Sequence, residues 1–198
     1  MTWIEITGTL FGLLCVILTI RRHIACWPTG IVNIAFFFVM FWRARLYPEL
    51  VTYSVFFILS IYGWIAWVRN GPDKGPLRVE IAPPRLRLLL GAVIAAGSPA
   101  FGFAFRRYTP TVLPYWDSLV MVMSLAAQWA LARRFVENWI LWIAVDVIGI
   151  AIYASRALYV TSGLYAVYLV LAILGLREWL AALRSASSPA REGAGTCT

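Results

Sequence analysis

The stretch Glu137-Asn-Trp-Ile-Leu-Trp-Ile-Ala-Val-Asp146 lies inside a run apolar enough to cross a bilayer. On a helix, Trp139, Trp142 and Asp146 fall at i, i+3 and i+7 and therefore share one face. At the usual rise per residue the two indoles and the carboxylate span about 11 Å along the axis. An indole is the best π-face for a cation, and a carboxylate at membrane depth must find a partner or a task. Such a face suits a flat, positively charged ligand. The plainer alternative places the tryptophans in an interfacial belt and has Asp146 pairing within the bundle.

Working outward, the same stretch has a counterpart earlier in the chain. A shift of 112 positions aligns Trp27 with Trp139, Ile31 with Ile143, Leu46-Tyr47 with Leu158-Tyr159, and Tyr53 with Tyr165. It also carries Gly63 onto Gly175, Trp67 onto Trp179, Arg21-Arg22 onto Arg133-Arg134, and Glu5 onto Asp117. One ungapped offset that keeps Gly, Trp, Tyr and paired Arg in register marks an internal repeat. Apolar runs give seven spans, at roughly 4–20, 28–42, 50–68, 86–105, 112–131, 138–155 and 162–180. The second is short and could borrow Arg43 to Leu46 by snorkelling. Three spans are an odd number, so a directly following copy would be inverted; a fourth, linking span restores its direction. The expected fold is all-α and integral to the membrane. Two parallel three-helix repeats (3–69 and 114–182) are joined by a linker helix (86–105) in a single domain, 1–183. Asn70 to Pro84, with its Gly-Pro and Pro-Pro pairs, reads as a flexible lead-in to the linker, and 184–198 as a disordered cytoplasmic tail.

Composition agrees. Of 198 residues, 62% are hydrophobic and 13% charged, and the mean hydropathy is +0.79. A soluble domain of this size could not hide so much apolar surface. No cleavable signal peptide is evident at the start, where Glu5 stands in place of a basic region. The net charge of +8 need not mean nucleic acid. Five basic residues (Arg43, Arg45, Arg106, Arg107, Arg156) fall on the N-terminal side of the bilayer and twelve on the other, together the full seventeen. That bias predicts the N-terminus outside and the C-terminus in the cytoplasm. Cys15, Cys26 and Cys197 have no metal-ligand spacing and read as small residues in an apolar or reducing setting.

The parallel-repeat plan resembles the SWEET sugar-transporter architecture. In detail, Glu137-x-Trp139-x-x-Trp142-x-x-x-Asp146 resembles the (E/Q)-x-W-x-x-W-x-x-x-(N/D) motif of PnuC-type nicotinamide riboside transporters. Trp27-Pro28-x-Gly30-Ile31-x-Asn33, Ala127-Gln128 and Leu164-Tyr165 are similar to family positions, so the likeness covers nearly all of residues 3–182. It implies uptake of nicotinamide riboside across a bacterial inner membrane by facilitated diffusion. A cytosolic nucleoside kinase traps the substrate. It implies a homotrimer as well. The pyridinium of that substrate is a delocalised cation, matching the Trp139/Trp142 face with Asp146 beside it. Other branches of the family handle thiamine and riboflavin, and thiamine, also a flat cation, is the second candidate.

Further polar residues within spans are few, and each must be recovered by pairing or function. Asn33 and Gln128 can both donate and accept, as a carboxamide or ribose hydroxyls would require; either could equally bridge helices. Glu137 begins the sixth span, where its charge also suits the helix dipole. Tyr53, Tyr153, Tyr159 and Tyr165 are candidates to close or gate a site, Tyr165 foremost. Asp117 and Glu5 stand near the outer face, where solvation is the simpler reading. No cofactor or metal is expected. A retinal protein needs a lysine within a span, and the single Lys74 is in a loop. One histidine, His23, cannot furnish a hydrolase, and no phosphate-binding Gly-rich loop suggests a pump. A non-transporting receptor is the remaining rival, separable by uptake into vesicles.

Overall fold

A computed structural model describes residues 3–45, 47–69, 78–109 and 111–187. It contains seven α-helices: α1 Trp3–Ile20, α2 Cys26–Ala44, α3 Tyr47–Arg69, α4 Pro84–Tyr108, α5 Pro114–Ala132, α6 Glu137–Ser155 and α7 Tyr159–Ser187. Each expected span sits within a few residues of a helix. The second reaches Ala44 and stops at Arg45, whose left-handed backbone (φ 56°) closes the last turn onto the Phe41 and Trp42 carbonyls. Six helices are long and apolar enough to cross a membrane; α5 falls short. The physical reason is its cargo of Asp117, Ser118, Ser124 and Gln128. These are tolerable because α5 is the best-covered helix, packed against α3, α4 and α6, and buries Ser118, Ser124 and seven apolar or small neighbours.

Helix contacts run α1–α2–α3–α5–α6–α7 and back to α1, so six helices close a ring, and α4 packs on the outside against α5. Small residues set that last approach: the Ser118 hydroxyl donates to the Ser98 carbonyl at 2.7 Å, and Gly102 faces Tyr115 and Ser118.

The core of the ring is built from indoles. Trp27 meets Trp67 edge-on (5.4 Å, 85°), Trp67 leans on Trp179 (6.4 Å), and Trp179 meets Trp139 edge-on (5.6 Å, 86°). All four are almost fully buried. Trp27 lies flat against Gly63, and Trp139 against Gly175, where any Cβ would collide with the ring. Adding 112 to α1, α2 and α3 reproduces the starts of α5, α6 and α7 to within one residue. The non-glycine residues with positive φ obey the same offset: Arg22 with Arg134, and Arg45 with Ala157.

Two boundaries differ from the sequence reading. Helix α7 continues to Ser187, into the stretch read as tail, and residues 188–198 lie outside the described part. The lead-in expected from 70 to 84 lies outside it for 70–77, but its last residues are held fast. Glu80 pairs with Phe135 in an isolated parallel bridge, and Ala82 is buried. Gly-Pro content marks chain that avoids helix; it does not tell whether the extended backbone finds partners in another loop.

Candidate functional site

The sixth helix delivers the motif residues along one face, but at different depths and into different company. Counting rise from the α1–α2 and α5–α6 turns, Trp142 and Gln128 lie about 6–8 Å in, Asn33 about 10 Å and Asp146 about 14 Å. Glu137 and Trp139 sit at the turn end itself.

Trp139 belongs to the indole core, with its Nε1 buried and unpartnered. Trp142, half-buried, packs against that core one turn farther along the same helix. Glu137 spends its carboxylate on the chain entering α4: both oxygens accept the Ala82 N–H, at 3.0 and 3.1 Å, and Arg87 Nε lies 3.6 Å from Oε1. Gln128 of α5 donates through Nε2 to the Ser60 hydroxyl of α3 at 3.2 Å, joining the first half of the chain to the second. Asn33 donates through Nδ2 to the Gly8 carbonyl at 2.6 Å, tying α2 to α1.

Deeper in, the pieces gather. Asp146 is 5% exposed, and among the described residues no hydrogen bond or ion pair reaches its carboxylate. It is within electrostatic reach of the Tyr165 and Tyr168 phenols on α7. Tyr165 stacks at a tilt on Tyr153 (5.1 Å) and edge-on to Tyr168 (6.5 Å), and its ring fills the notch left by Gly149. The Tyr168 hydroxyl and the Asn33 amide both press on α1 at Gly12, which has no side chain to obstruct them. Tyr53 approaches from α3, within electrostatic reach of Tyr153 and Tyr168 and packed on Phe37 and Phe41 (5.9 and 4.9 Å). Asn33, Asp146 and Tyr165 are thus brought into one layer, with Tyr53, Tyr153 and Tyr168. An unpaired buried carboxylate with two phenols within electrostatic reach can accept a cation, and neighbouring aromatic faces and hydroxyls can hold the rest of a ligand.

Tyr168 was not singled out from the sequence. The 112-residue shift held the signal, because it pairs Tyr168 with Phe56: the second copy adds a hydroxyl. Tyr159 is exposed and stands apart from this layer. Asp117 is held at the opposite end by Arg156 Nη2 (3.1 and 3.2 Å) and by the Thr111 hydroxyl, which fixes the start of α5 to the end of α6. Among the described residues no group of three or more His, Cys, Asp or Glu side chains could hold a metal ion.

Residues 2–181 match the family model described as "Nicotinamide mononucleotide transporter". The chain is 32% identical to the nicotinamide riboside transporter PnuC of Escherichia coli, over 96% of this chain and 90% of that one. It is 29% identical to the riboflavin/roseoflavin transporter RibM of Streptomyces davaonensis, over 97% and 91%. Among solved structures, the crystal structure of the vitamin B3 transporter PnuC superposes with a TM-score of 0.76 at 21% identity, covering 93% of this chain and 83% of that one.

Proposed function

Because this chain belongs to the nicotinamide mononucleotide transporter family, we propose that it is a transporter for nicotinamide riboside, held in the bacterial inner membrane. The observation that carries the substrate is the unpaired Asp146 carboxylate within electrostatic reach of Tyr165 and Tyr168, with Tyr153 stacked on Tyr165. A pyridinium ring can place its delocalised charge there, with Trp142 as a stacking face and Trp139 behind it. Ribose hydroxyls fall to Asn33, Gln128 and the phenols. Each aromatic contact with the cation contributes about 0.5–2 kcal/mol.

The transporter is read as two parallel three-helix repeats, α1–α3 and α5–α7, with α4 as linker. The coincident helix starts, the paired left-handed residues and the two Trp–Gly wedges support this arrangement. Charge bias sets the N-terminus outside and the turns at Arg22 and Arg134 in the cytoplasm. A cysteine at Thr109 should then label from outside and one at Asp73 should not. Transport is facilitated diffusion, made one-way by a cytosolic nucleoside kinase, and the assembly is a homotrimer.

The test is a calorimetric panel of nicotinamide riboside, riboflavin and thiamine on purified protein, followed by uptake into vesicles loaded with the kinase. Binding and uptake of nicotinamide riboside alone is the expected result. Riboflavin is the second reading, on the strength of the Streptomyces relative's similarity along almost the whole chain. Preference for the neutral isoalloxazine would leave Asp146 without a cation to hold and so without that role. Binding without uptake would favour a receptor.

A further inference from the structure

The turn between α5 and α6 is covered by a strap that, among the described residues, the equivalent turn between α1 and α2 lacks. Residues 79–87, leading into α4, lie along Arg134–Glu137. The Glu80 N–H donates to the Arg134 carbonyl and the Val136 N–H donates to the Glu80 carbonyl, each at 3.0 Å. Ala82 is gripped at both backbone groups. Its N–H goes to the two Glu137 oxygens, and its carbonyl accepts from Arg87 Nε at 2.9 Å. Arg87 in turn faces Glu137 at 3.6 Å, so three residues close a cycle. Beneath it Ala82 packs into Ala130 and Phe135, flanked by Leu86 and Trp129, while Val79 reaches the indole core.

Shifting back by 112 turns Arg134-Phe135-Val136-Glu137 into Arg22-His23-Ile24-Ala25. The backbone is kept, with φ 56° at Arg22 against 63° at Arg134. The carboxylate has become a methyl group. Among the described residues no other loop bonds to this turn; its bonds are local, such as the Ala25 N–H donating to His23 Nδ1 at 3.2 Å, apart from Trp179 Nε1 of α7 on the adjoining Thr19 carbonyl. Nor is Glu137 spent on its own helix, since α6 has no side-chain cap at its start.

We propose that Glu137 is a positioning residue: it clasps the entry of α4 to the start of α6, so that α4, α5 and α6 form one fixed unit at the cytoplasmic face. The clasp then acts on the transport step, by holding that unit in place, and not on substrate binding. This rests on the transport reading above. It also gives Glu137 work distinct from touching the substrate, although it opens the motif that carries Trp142 and Asp146.

The experiment compares Glu137→Ala, Glu137→Gln and Arg87→Ala in the full-length protein by amide hydrogen exchange, nicotinamide riboside calorimetry and vesicle uptake. Loss of a charged acceptor should raise exchange of the 79–87 segment about tenfold or more in Glu137→Ala. Uptake at saturating substrate should slow severalfold in the same variant, while Kd stays within about twofold. Arg87→Ala should reproduce that pattern, and Glu137→Gln, which keeps an oxygen acceptor, should recover most of it. Unchanged exchange in Glu137→Ala would overturn the clasp. A weakened Kd in Glu137→Ala with normal binding and uptake in Arg87→Ala would overturn it too, making Glu137 a substrate contact. Should Glu137→Ala fail to fold, Arg87→Ala and Glu137→Gln carry the same exchange comparison. That measurement needs no substrate, so failure of the nicotinamide riboside reading would appear separately, in wild-type binding.

Discussion

Two layers of the bundle are built on the same 112-residue offset and treat it oppositely. In the indole layer the copies coincide: Trp27 over Gly63 with Trp67 edge-on at 5.4 Å, and Trp139 over Gly175 with Trp179 edge-on at 5.6 Å. In the layer farther from those turns they part company. Ile34, Phe37, Phe41 and Phe56 of the first copy become Asp146, Gly149, Tyr153 and Tyr168 of the second, while Tyr53 and Tyr165 are retained. Ring spacing survives, with Phe41 4.9 Å from Tyr53 and Tyr153 5.1 Å from Tyr165, but the tilt changes from 66° to 38°, and a carboxylate and two hydroxyls have replaced hydrocarbon. Close backbone approach leaves few side chains that fit, so a packing layer stays symmetric. A single ligand bound off the axis meets different groups on its two sides, and nothing keeps that layer symmetric.

The largest effect expected is on the symmetric layer. Trp67→Ala and Trp179→Ala should each cost about 3–5 kcal/mol of stability, read from unfolding in detergent. Trp179→Ala should cost about 1 kcal/mol more, because its Nε1 donates to the Thr19 carbonyl at 3.2 Å whereas Trp67 Nε1 has no partner. Very unequal losses would break the symmetry claimed for this layer.

Copying the first repeat into the second tests the other layer. Asp146→Ile, which installs the equivalent of Ile34, should weaken nicotinamide riboside binding about ten- to a hundredfold, the worth of a contact to a charged group. Stability should hold or rise, since an unpaired buried carboxylate is removed. Asp146→Asn should retain substantial uptake, unaffected by collapsing the pH gradient. Abolished uptake with intact binding, together with gradient-driven accumulation by wild type, would sink the passive reading. Trp142→Ala should cost about tenfold in Kd and Trp142→Phe less. Wild-type binding by the folded Ala variant would remove this indole from the site. The smallest effect belongs to Tyr153→Phe, the equivalent of Phe41. Losing one neutral hydrogen bond should weaken binding by about two- to tenfold, and no change would assign the added hydroxyl to packing.

Much of this was legible in the chain itself. Hydrophobic runs located the seven helices of the described residues, six of them by the unbroken apolar length a bilayer demands and α5 despite its polar side chains. The 112-residue offset and the motif on α6 were also visible, since both are patterns of identity at fixed spacing. What spacing could not say is which of two neighbours on one helix face enters the core. Trp139 and Trp142 are three residues apart, yet Gly175 on the neighbouring α7 admits the first as a wedge, while the second stays half-buried.

The same holds for the polar groups. Sequence determined that Asp146 is deep, that Asn33 and Gln128 lie in spans, and that Glu137 starts α6. Only the tertiary structure decided their company: Asn33 on the Gly8 carbonyl, Gln128 on Ser60, Glu137 on Ala82 and Arg87, and Asp146 within electrostatic reach of Tyr165 and Tyr168 with no hydrogen-bond partner among the described residues. Depth along one helix follows from counting residues. A hydrogen-bond partner depends on which other helix is brought alongside and in what rotation, and those are set by contacts between residues as far apart as Thr19 and Trp179.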